Sequence, residues 1–443
     1  MIPTNGIHMK HSQLIPMGSG RFMLHLGHFY ILFLIVMLPK ENVDATNSSV
    51  SKLKTSYTLA KNFLGLNKCN ACIGTSACKK FFKEEIRFHS WLAPHKWLPP
   101  SDFHSITGNY TDDGESWRPI EISRLSSKRQ HDLADQRICR TSTKKKTCSI
   151  EDILRRTERF QKWMAAKRLT PDLVQGLPVQ LLRCPSQRLL DRIIRRYSEV
   201  LDAGSVYMTH LTDKDRLRLL YTLSVNTHPI ILQIFPRAEG WPFSKYLGSC
   251  GRLFVSTTTH LLTSFNITSS DVAADLAYQL LQIIHLLSTN DLSYFFYFTS
   301  IDETTFGIFS DGRLFIRNTS KMGIIDKQQE KSVYEGKNEE LDVFSCLSSD
   351  CPPTLSSCAN ITQKQNIILV CKSLLPYLTA GKFPDSTQEK IDQLLKDCSK
   401  NMANELEAWK LMNELMKILK PWRRCDARFA YRYPDCKYDR LIG

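Results

Sequence analysis

Three cysteines near residue 70 have a spacing that could bind a metal or form a redox pair. Cys69, Cys72 and Cys78 lie in the segment NKCNACIGTSACKKFF. A structural zinc site needs four ligands, and no second C-x-x-C pair follows at zinc-ribbon spacing. A thioredoxin-like site would follow a strand, and no strand-like run precedes Cys69. The cluster therefore favours structural disulfides in an oxidising compartment, with no metal site and no cofactor.

The full set of 14 cysteines is even in number, which suits a chain that forms several disulfides. Their connectivity cannot be read from the sequence, so every pairing stays open. The other candidate disulfide cysteines are Cys139, Cys148, Cys184, Cys250, Cys346, Cys351, Cys358, Cys371, Cys398, Cys425 and Cys436.

Other motifs of catalysis or metal binding do not stand out in the sequence. It contains no P-loop, no Ser-His-Asp signature, no HExxH motif and no EF-hand loop. The composition, 42% hydrophobic and 23% charged, is that of a packed globular protein. It excludes a mainly disordered chain, a collagen and a low-complexity scaffold.

The first residues predict entry into the secretory pathway. Lys10 and Arg21 precede the apolar run Phe29–Leu38, which is too short to span a membrane of about 30 Å. Small residues follow this run, so we expect a signal peptide that is cleaved near Ala45. The alternative is a signal anchor whose apolar window extends back through Phe22–Leu26. No later segment has eighteen uninterrupted apolar residues, so no transmembrane span is expected after cleavage.

Glycosylation and charge agree with export through the endoplasmic reticulum and Golgi. Cleavage would remove three basic and two acidic residues, which lowers the formal charge from +15 to +14. This charge suits anionic partners such as heparan sulfate or acidic membrane surfaces, and nucleic acid is not expected outside the cell. The N-x-S/T sequons begin at Asn47, Asn109, Asn266, Asn318 and Asn360. The candidate basic contacts are Lys144–Lys146, Arg155-Arg156, Arg192/Arg195/Arg196 and Arg423-Arg424, each of which could equally be a solvated face.

Periodicity predicts both helices and strands. Residues 150 to 225 are mostly helical in pattern, and long helices are predicted over Leu189–Leu201 and Asp271–Ser288. The apolar run Pro229–Phe235 is predicted as a buried strand. The remaining strands are predicted at Pro119–Leu125, Phe306–Phe309 and Arg313–Arg317, with a hairpin turn at Asp311-Gly312.

Five segments together resemble one known family. They are NKCNACIGTSACKKF, CPSQRLLDRIIRRY, ILQIFP, EGWPFSKYLGSCGR and CDARFAYRYPDCKY. They resemble the divergent protein kinase domain family, and within it the type 2 branch, from about residue 65 to residue 443. This resemblance implies an α+β, two-lobed protein-kinase-like fold, in a protein that passes through the secretory pathway. It would carry a disulfide-rich N-terminal segment and a Cys-rich helical C-terminal extension.

An active kinase needs four groups in fixed places, and the flanking strands locate them. A lysine on the third strand holds phosphates, and an aspartate in the catalytic loop accepts the substrate proton. An asparagine five residues later and an aspartate after the next hairpin bind the metal. In this sequence Ser123, Ser300, Thr305 and Asn318 occupy these four places.

The four substitutions favour a pseudokinase. Ser300 cannot accept a proton as a carboxylate does, and Thr305 and Asn318 bring no negative charge to a metal. The alternative is an atypical active kinase of the secretory pathway that uses displaced carboxylates, such as Asp302 or Asp326. Asp302 as the base would place Gly307 where the asparagine belongs.

The predicted organisation follows from these observations. Residues 1–45 form the signal peptide and residues 46–68 a polar stalk. Residues 69–235 form the Cys-rich segment and the N-lobe, and residues 236–443 the C-lobe with its Cys-rich extension. We expect a secreted glycoprotein that acts by binding, as an extracellular ligand or as a partner of a luminal protein.

Overall fold

The computed structural model describes residues 63–71, 74–89, 103–198, 205–262, 269–309, 312–329, 347, 358–400 and 404–423. All of them belong to a compact unit that begins at Leu59. Several predictions concern residues outside these ranges. They are the signal peptide, most of the stalk, Asn47, Asn266, Asp311, Cys72, Cys346, Cys351, Cys425 and Cys436.

A five-stranded antiparallel sheet has the spatial order β1-β2-β3-β5-β4. Its strands are β1 (Ile86–Phe88), β2 (Ser105–Tyr110), β3 (Arg118–Arg124), β4 (Tyr246–Cys250) and β5 (Leu253–Thr257). The predicted strand at Pro119–Leu125 is thus confirmed as β3. Two of the five strands follow residue 236, so this sheet spans the boundary predicted between residues 235 and 236.

The two faces of this sheet differ because side chains alternate along each strand. Ile120 and Ile122 of β3 pack with Ile86 and Val255 in a buried apolar cluster on one face. Glu121 and Ser123 therefore point to the opposite face. Polar residues at buried positions of a strand need partners from elsewhere in the fold.

Between β3 and β4 every described element is a helix, as predicted for residues 150 to 225. Ser127 begins the first of these helices with a capping box, in which its side chain accepts from the Gln130 N–H. The helices are α1 (Cys78–Phe82, before β1), α2 (Lys128–Thr143), α3 (Ile150–Arg155), α4 (Glu158–Ala165), α5 (Pro171–Val174), α6 (Gln187–Ser198), α7 (Asp213–Val225) and α8 (His228–Ile234).

The strand predicted over Pro229–Phe235 is wrong, because this run forms helix α8. Ile230, Ile231, Leu232 and Ile234 are all buried, so the helix shows no polar stripe that would reveal its period. Pro229 occupies the first turn of the helix, where its missing N–H has no intrahelical partner to lose.

The next part of the chain confirms the predicted helix and hairpin. Helix α9 (Ser270–Ser288) leads to β7 (Tyr294–Phe298), and β8 (Phe306–Ile308) pairs with β9 (Leu314–Ile316). Gly312 has a φ of 79°, a conformation that favours glycine, and its N–H donates to the Phe309 carbonyl. The short β6 (His260–Leu261) extends this small sheet, and β10 (Met322–Asp326) pairs with β7.

Helices form most of the described C-terminal part. They are α10 (Lys364–Lys372), α11 (Leu374–Thr379), α12 (Asp385–Cys398) and α13 (Glu405–Leu419). Asn366 joins α10 to β7, because it accepts from the Phe298 N–H at 2.9 Å and donates to the Phe296 carbonyl at 2.7 Å. One apolar core runs from α2 to α13. No helix in the described ranges is long and apolar enough to cross a membrane.

Four disulfides link eight of the described cysteines. Two bridge distant parts of the chain, and two close shorter loops: Cys78–Cys250, Cys184–Cys358, Cys139–Cys148 and Cys371–Cys398. Cys69 is buried and forms no disulfide with any cysteine of the described ranges. Burial raises the pKa of its thiol to about 12, which keeps it protonated and unreactive.

Candidate functional site

Ser123, predicted at the lysine position, lies in the middle of the sheet. It is buried on β3, between Ser105 of β2 and Phe254 of β5 in the strand register. Its hydroxyl is 3.5 Å from a carboxylate oxygen of Glu121, which lies two residues earlier on the same face. Where an active kinase presents an ammonium group to phosphates, this face presents a carboxylate.

Glu121 forms an ion pair with Arg317, the residue that precedes Asn318. The Arg317 Nε donates to one Glu121 oxygen at 3.2 Å, and Nη2 donates to the other. The same Nη2 is 3.2 Å from the Ser105 hydroxyl. Both side chains are largely buried, with 11% and 20% of their surface exposed. The pair therefore joins the sheet to the segment after β9.

Thr305, at the asparagine position, is buried and holds a turn together. Its hydroxyl accepts from the Asp302 N–H at 3.0 Å and lies 3.1 Å from the Asp302 carboxylate. Its carbonyl accepts from the N–H groups of Arg317 at 2.8 Å and Asn318 at 3.2 Å. The backbone thus brings Thr305 and Asn318 together. Ser300 is exposed beyond the end of β7.

Asp302, the candidate displaced base, is exposed, and its carboxylate accepts hydrogen bonds within its own turn. Its Oδ1 accepts from the Thr304 N–H at 2.8 Å and from the Thr304 hydroxyl at 2.6 Å. Burial tends to raise the pKa of Asp302, but the hydrogen bonds from Thr304 and Thr305 outweigh it and hold the pKa below its ordinary value. This lowered basicity is the opposite of what a general base requires.

Asn318, at the position of the metal-binding aspartate, is half-buried, and its Oδ1 accepts from the Ser320 N–H at 2.9 Å. The next residue, Thr319, is fully buried. Its N–H donates to Nδ1 of the buried His228 at 3.2 Å, and its hydroxyl lies 2.8 Å from the same nitrogen. Since the backbone N–H must donate, His228 Nδ1 is an acceptor and the ring is neutral.

The environment of His228 agrees with this neutral form. Burial, together with the positive charge of Arg317, lowers the pKa of His228 to about 3. Phe254 of β5 contacts the ring edge-to-face at a centroid distance of 5.4 Å. His228 therefore joins the segment after β9 to α8 and to the five-stranded sheet.

Asp326, the other candidate carboxylate, has a structural role. It forms a bidentate ion pair with Arg188 of α6, at 2.9 Å and 2.5 Å. Burial tends to raise the pKa of Asp326, but the bonds from Arg188 hold it below its ordinary value. Within the described ranges no three His, Cys, Asp or Glu side chains are grouped as metal ligands.

Comparison with known proteins shows the family of this chain. A family model described as "Protein-kinase domain of FAM69" matches residues 220–401, which include Ser300, Thr305 and Asn318. The chain is 59% identical to divergent protein kinase domain 2B of Mus musculus over 392 residues, 88% of this chain and 90% of the relative. It is 58% identical to the Homo sapiens 2B protein over 396 residues, 89% of this chain and 92% of the relative. The chain belongs to the divergent protein kinase domain family.

A more distant branch of the family also matches nearly the whole chain. Divergent protein kinase domain 2A of Xenopus tropicalis is 34% identical over 435 residues, 92% of this chain and 98% of the relative. The family resemblance drawn from the five segments is thus confirmed, and so is a kinase-like mixture of helix and sheet.

Sequence reasoning missed the residues that organise the site. Glu121 could have been found from strand alternation, which places it on the same face as Ser123. Arg317 directly precedes a predicted site residue, but its partner lies 196 residues away. His228 was hidden because its segment was assigned to a strand.

Proposed function

We propose that this chain is a secreted pseudokinase: a glycoprotein with a two-lobed kinase-like fold that acts by binding. Its partners would be extracellular or luminal proteins. The observation that supports this most is the ion pair between Glu121 and Arg317. It occupies the sheet face on which an active kinase presents its phosphate-binding lysine.

This ion pair opposes nucleotide binding. A triphosphate placed against β3 would find no net positive charge, and drawing Arg317 toward the phosphates would leave the carboxylate of Glu121 to repel them. Arg317 already donates to Glu121 and Ser105, so a phosphate would have to displace both bonds. Thr305 and Asn318 offer no carboxylate to Mg²⁺, which binds to nucleotide sites through one or two carboxylates and the phosphates.

The proposed export has separate support. Disulfides persist in oxidising compartments and are rare in the cytosol, and four link the described residues. Of the sequons in the described ranges, Asn360 is exposed, while Asn109 and Asn318 are half-buried. Glycosylation is therefore expected most readily at Asn360.

Thermal unfolding of the purified protein with ATP and Mg²⁺ or Mn²⁺ tests the pseudokinase proposal. A ligand at 100 times its Kd stabilises a protein by about 2.7 kcal/mol, which is readily measured as a shift in Tm. We expect no shift with millimolar nucleotide and metal, while an active kinase measured alongside shifts upward.

The competing function, an atypical kinase, makes the opposite prediction in the same measurement. A metal-dependent rise in Tm that disappears in Asp302→Ala but persists in Asp385→Asn would overturn the pseudokinase proposal. Asp385 is exposed at the start of α12, so its variant controls for the loss of a carboxylate that neither hypothesis uses.

A further inference from the structure

A pocket of about 660 Å³ is lined by helix α2 and the end of helix α7. This volume is within the range of about 300–1,000 Å³ that is usual for ligand pockets. We call it the α2–α7 pocket, and none of its described lining residues belongs to the candidate site. Apolar side chains form much of its wall: Leu133, Ala134, Ile138, Val225 and Leu347.

A buried polar group in this wall has no hydrogen-bond partner. His131 lines the pocket, and only 4% of its surface is exposed. Its Nδ1 lies 3.0 Å from the hydroxyl of Tyr221, which also lines the pocket. Its Nε2 is buried, and no described residue donates to it or accepts from it. Because a buried polar group without a hydrogen bond costs stability, native proteins rarely leave one.

The contact between His131 and Tyr221 decides whether Nε2 is a donor or an acceptor. Burial is the main cause that lowers the pKa of His131 to about 3, so the ring is neutral and carries one proton. Burial also raises the pKa of Tyr221, so the phenol keeps its proton. If Nδ1 carried the ring proton, both the phenol proton and the Nε2 lone pair would lack a partner among the described residues. If the phenol donates to Nδ1, only the Nε2–H lacks one, so this arrangement costs less.

The helix that carries His131 is held in place by two further contacts. Asp135, one turn along α2, forms a bidentate ion pair with Arg252 at 2.9 Å and 2.8 Å. Cys139, one turn further, forms a disulfide with Cys148. A pocket whose wall is already ordered loses little conformational entropy when a ligand binds.

We propose that the α2–α7 pocket binds an uncharged, lipid-like molecule that carries an oxygen acceptor. The oxygen, of a ketone, an ester or an alcohol, would accept a hydrogen bond from the Nε2–H of His131, and the apolar part would cover the apolar wall. Arg137 and Arg140, the charged residues of the described lining, are both exposed, so the interior offers a neutral donor and not a charge. The inference goes beyond the proposed function and requires neither export nor the loss of catalysis.

The test measures binding of 2-octanone to the full purified protein, by NMR titration with ¹⁵N-labelled histidine. 2-Octanone has an oxygen acceptor and no donor. The matched ligand is 1-chlorooctane, which has a similar apolar chain and no strong acceptor. The variants are His131→Leu, which removes the donor, and His131→Gln, which keeps an N–H donor. Correct folding is checked by the Tm of each variant.

We expect His131→Leu to weaken 2-octanone binding about fivefold to tenfold, as loss of one hydrogen bond predicts, and to change 1-chlorooctane binding less than about twofold. His131→Gln should bind the ketone nearly as well as the unsubstituted protein. The Nε2 resonance of His131 should shift when the ketone binds and shift less with 1-chlorooctane. If His131→Leu folds poorly because Tyr221 loses its partner, His131→Leu with Tyr221→Phe removes both polar groups together and makes the same prediction.

A second pair of variants tests the location of binding. Leu133 is an exposed apolar residue of the pocket lining, and Leu406 is an exposed apolar residue on α13. We expect Leu133→Ser to weaken both ligands about threefold through the loss of apolar contact, and Leu406→Ser to weaken neither.

Equal weakening of both ligands in His131→Leu would overturn the inference, because binding would then not use the Nε2–H. Absence of ketone binding would also overturn it, as would tighter binding of octanoate than of 2-octanone, which would indicate an anionic ligand. Equal losses in Leu133→Ser and Leu406→Ser would show that the ligands bind outside the pocket. These outcomes are distinct from failure of the proposed function, since nucleotide binding and export to the medium are measured separately.

Discussion

At the scale of single residues, the site is organised by groups that neutralise one another. Glu121 and Arg317 lie 196 residues apart and meet at the sheet face, where their charges are largely shielded from water. An ion pair in this setting gives modest net stability, but either charge alone would be left poorly solvated. The charge of each residue is therefore stabilised by the charge of the other.

A double-mutant cycle should reveal this dependence. We expect Glu121→Gln and Arg317→Gln each to lower the free energy of unfolding by about 1–3 kcal/mol, because each leaves one charge largely buried without its partner. The double variant should lose less than the sum of the two. Urea unfolding measures all three. The exposed pair Lys128 and Asp132 on α2 is the control, with an expected coupling of about 0.3–0.5 kcal/mol. A coupling at Glu121 no larger than this would contradict the role assigned to the pair.

Two buried histidines make stability depend on pH. The pKa of His228 and of His131 is lowered to about 3 each, against about 6.5 in the unfolded chain, and burial is the main cause. Arg317 and His104 near His228, and Arg252 and Arg124 near His131, contribute to this lowering. Because the folded pKa is the lower one, the unfolded chain binds more protons below pH 6.5. Stability is thus complete above about pH 6.5 and is lost as the pH falls toward 3.

Unfolding at several pH values checks this prediction. Between pH 7.5 and pH 5.5 we expect each buried histidine to account for a loss of about 1–1.5 kcal/mol. His228→Gln should be less stable at pH 7.5 but show a shallower pH dependence than the unsubstituted protein. His260→Gln alters an exposed ring and should leave the slope unchanged. A slope that persists unchanged in His228→Gln and in His131→Gln would show that other groups dominate.

At the scale of elements, the sequence predicts most of the helices and strands in which apolar residues recur at a regular spacing. Helix α9 was predicted to within one residue at its start, because apolar residues recur along it at helical spacing. The β8–β9 hairpin was found from its turn residues. Helix α8 was not predicted, because it is buried on all sides and its apolar residues are equally compatible with a buried strand.

In the candidate site, too, the sequence locates some residues and misses others. Thr305 and Asn318 were placed from local strand order, and the backbone does bring them together. The pairs Glu121–Arg317 and His228–Thr319 could not be predicted, since each joins segments about 90 to 200 residues apart and depends on the packing of whole elements. Long-range pairing is not encoded in local spacing.

Disulfides differ in how much of the chain they restrict. Cys184–Cys358 spans 174 residues, whereas Cys139–Cys148 spans 9. In the chain-entropy model, serine pairs should cost about 5 kcal/mol at the first and about 2.5 kcal/mol at the second. Denaturant unfolding of Cys184→Ser with Cys358→Ser, compared with Cys139→Ser with Cys148→Ser, measures both losses. Equal losses would indicate that local geometry, and not loop length, decides the contribution.

At the scale of the whole molecule, the proposed export has the widest consequences. Expressed in animal cells, the protein should accumulate in the medium, shortened near Ala45, with a glycan at Asn360. Cleavage should leave all 14 cysteines in the secreted chain. Mass spectrometry of the medium and the membrane fraction checks this. A full-length species retained in the membrane would show that the N-terminal segment is an anchor.

The two long disulfides can form only late in the synthesis of the chain. Cys78 needs Cys250, which follows 172 residues later, and Cys184 needs Cys358, which follows 174 residues later. At about 5–20 residues per second, each first cysteine waits about 10–35 s for its partner to be made. Under the proposed export, Cys139 and Cys148, nine residues apart, would enter the lumen while the Cys78 thiol still waits for Cys250. The Cys78 thiol would then be open to pairing with a wrong cysteine, and we expect the yield of secreted protein to follow the isomerase capacity of the cell that makes it.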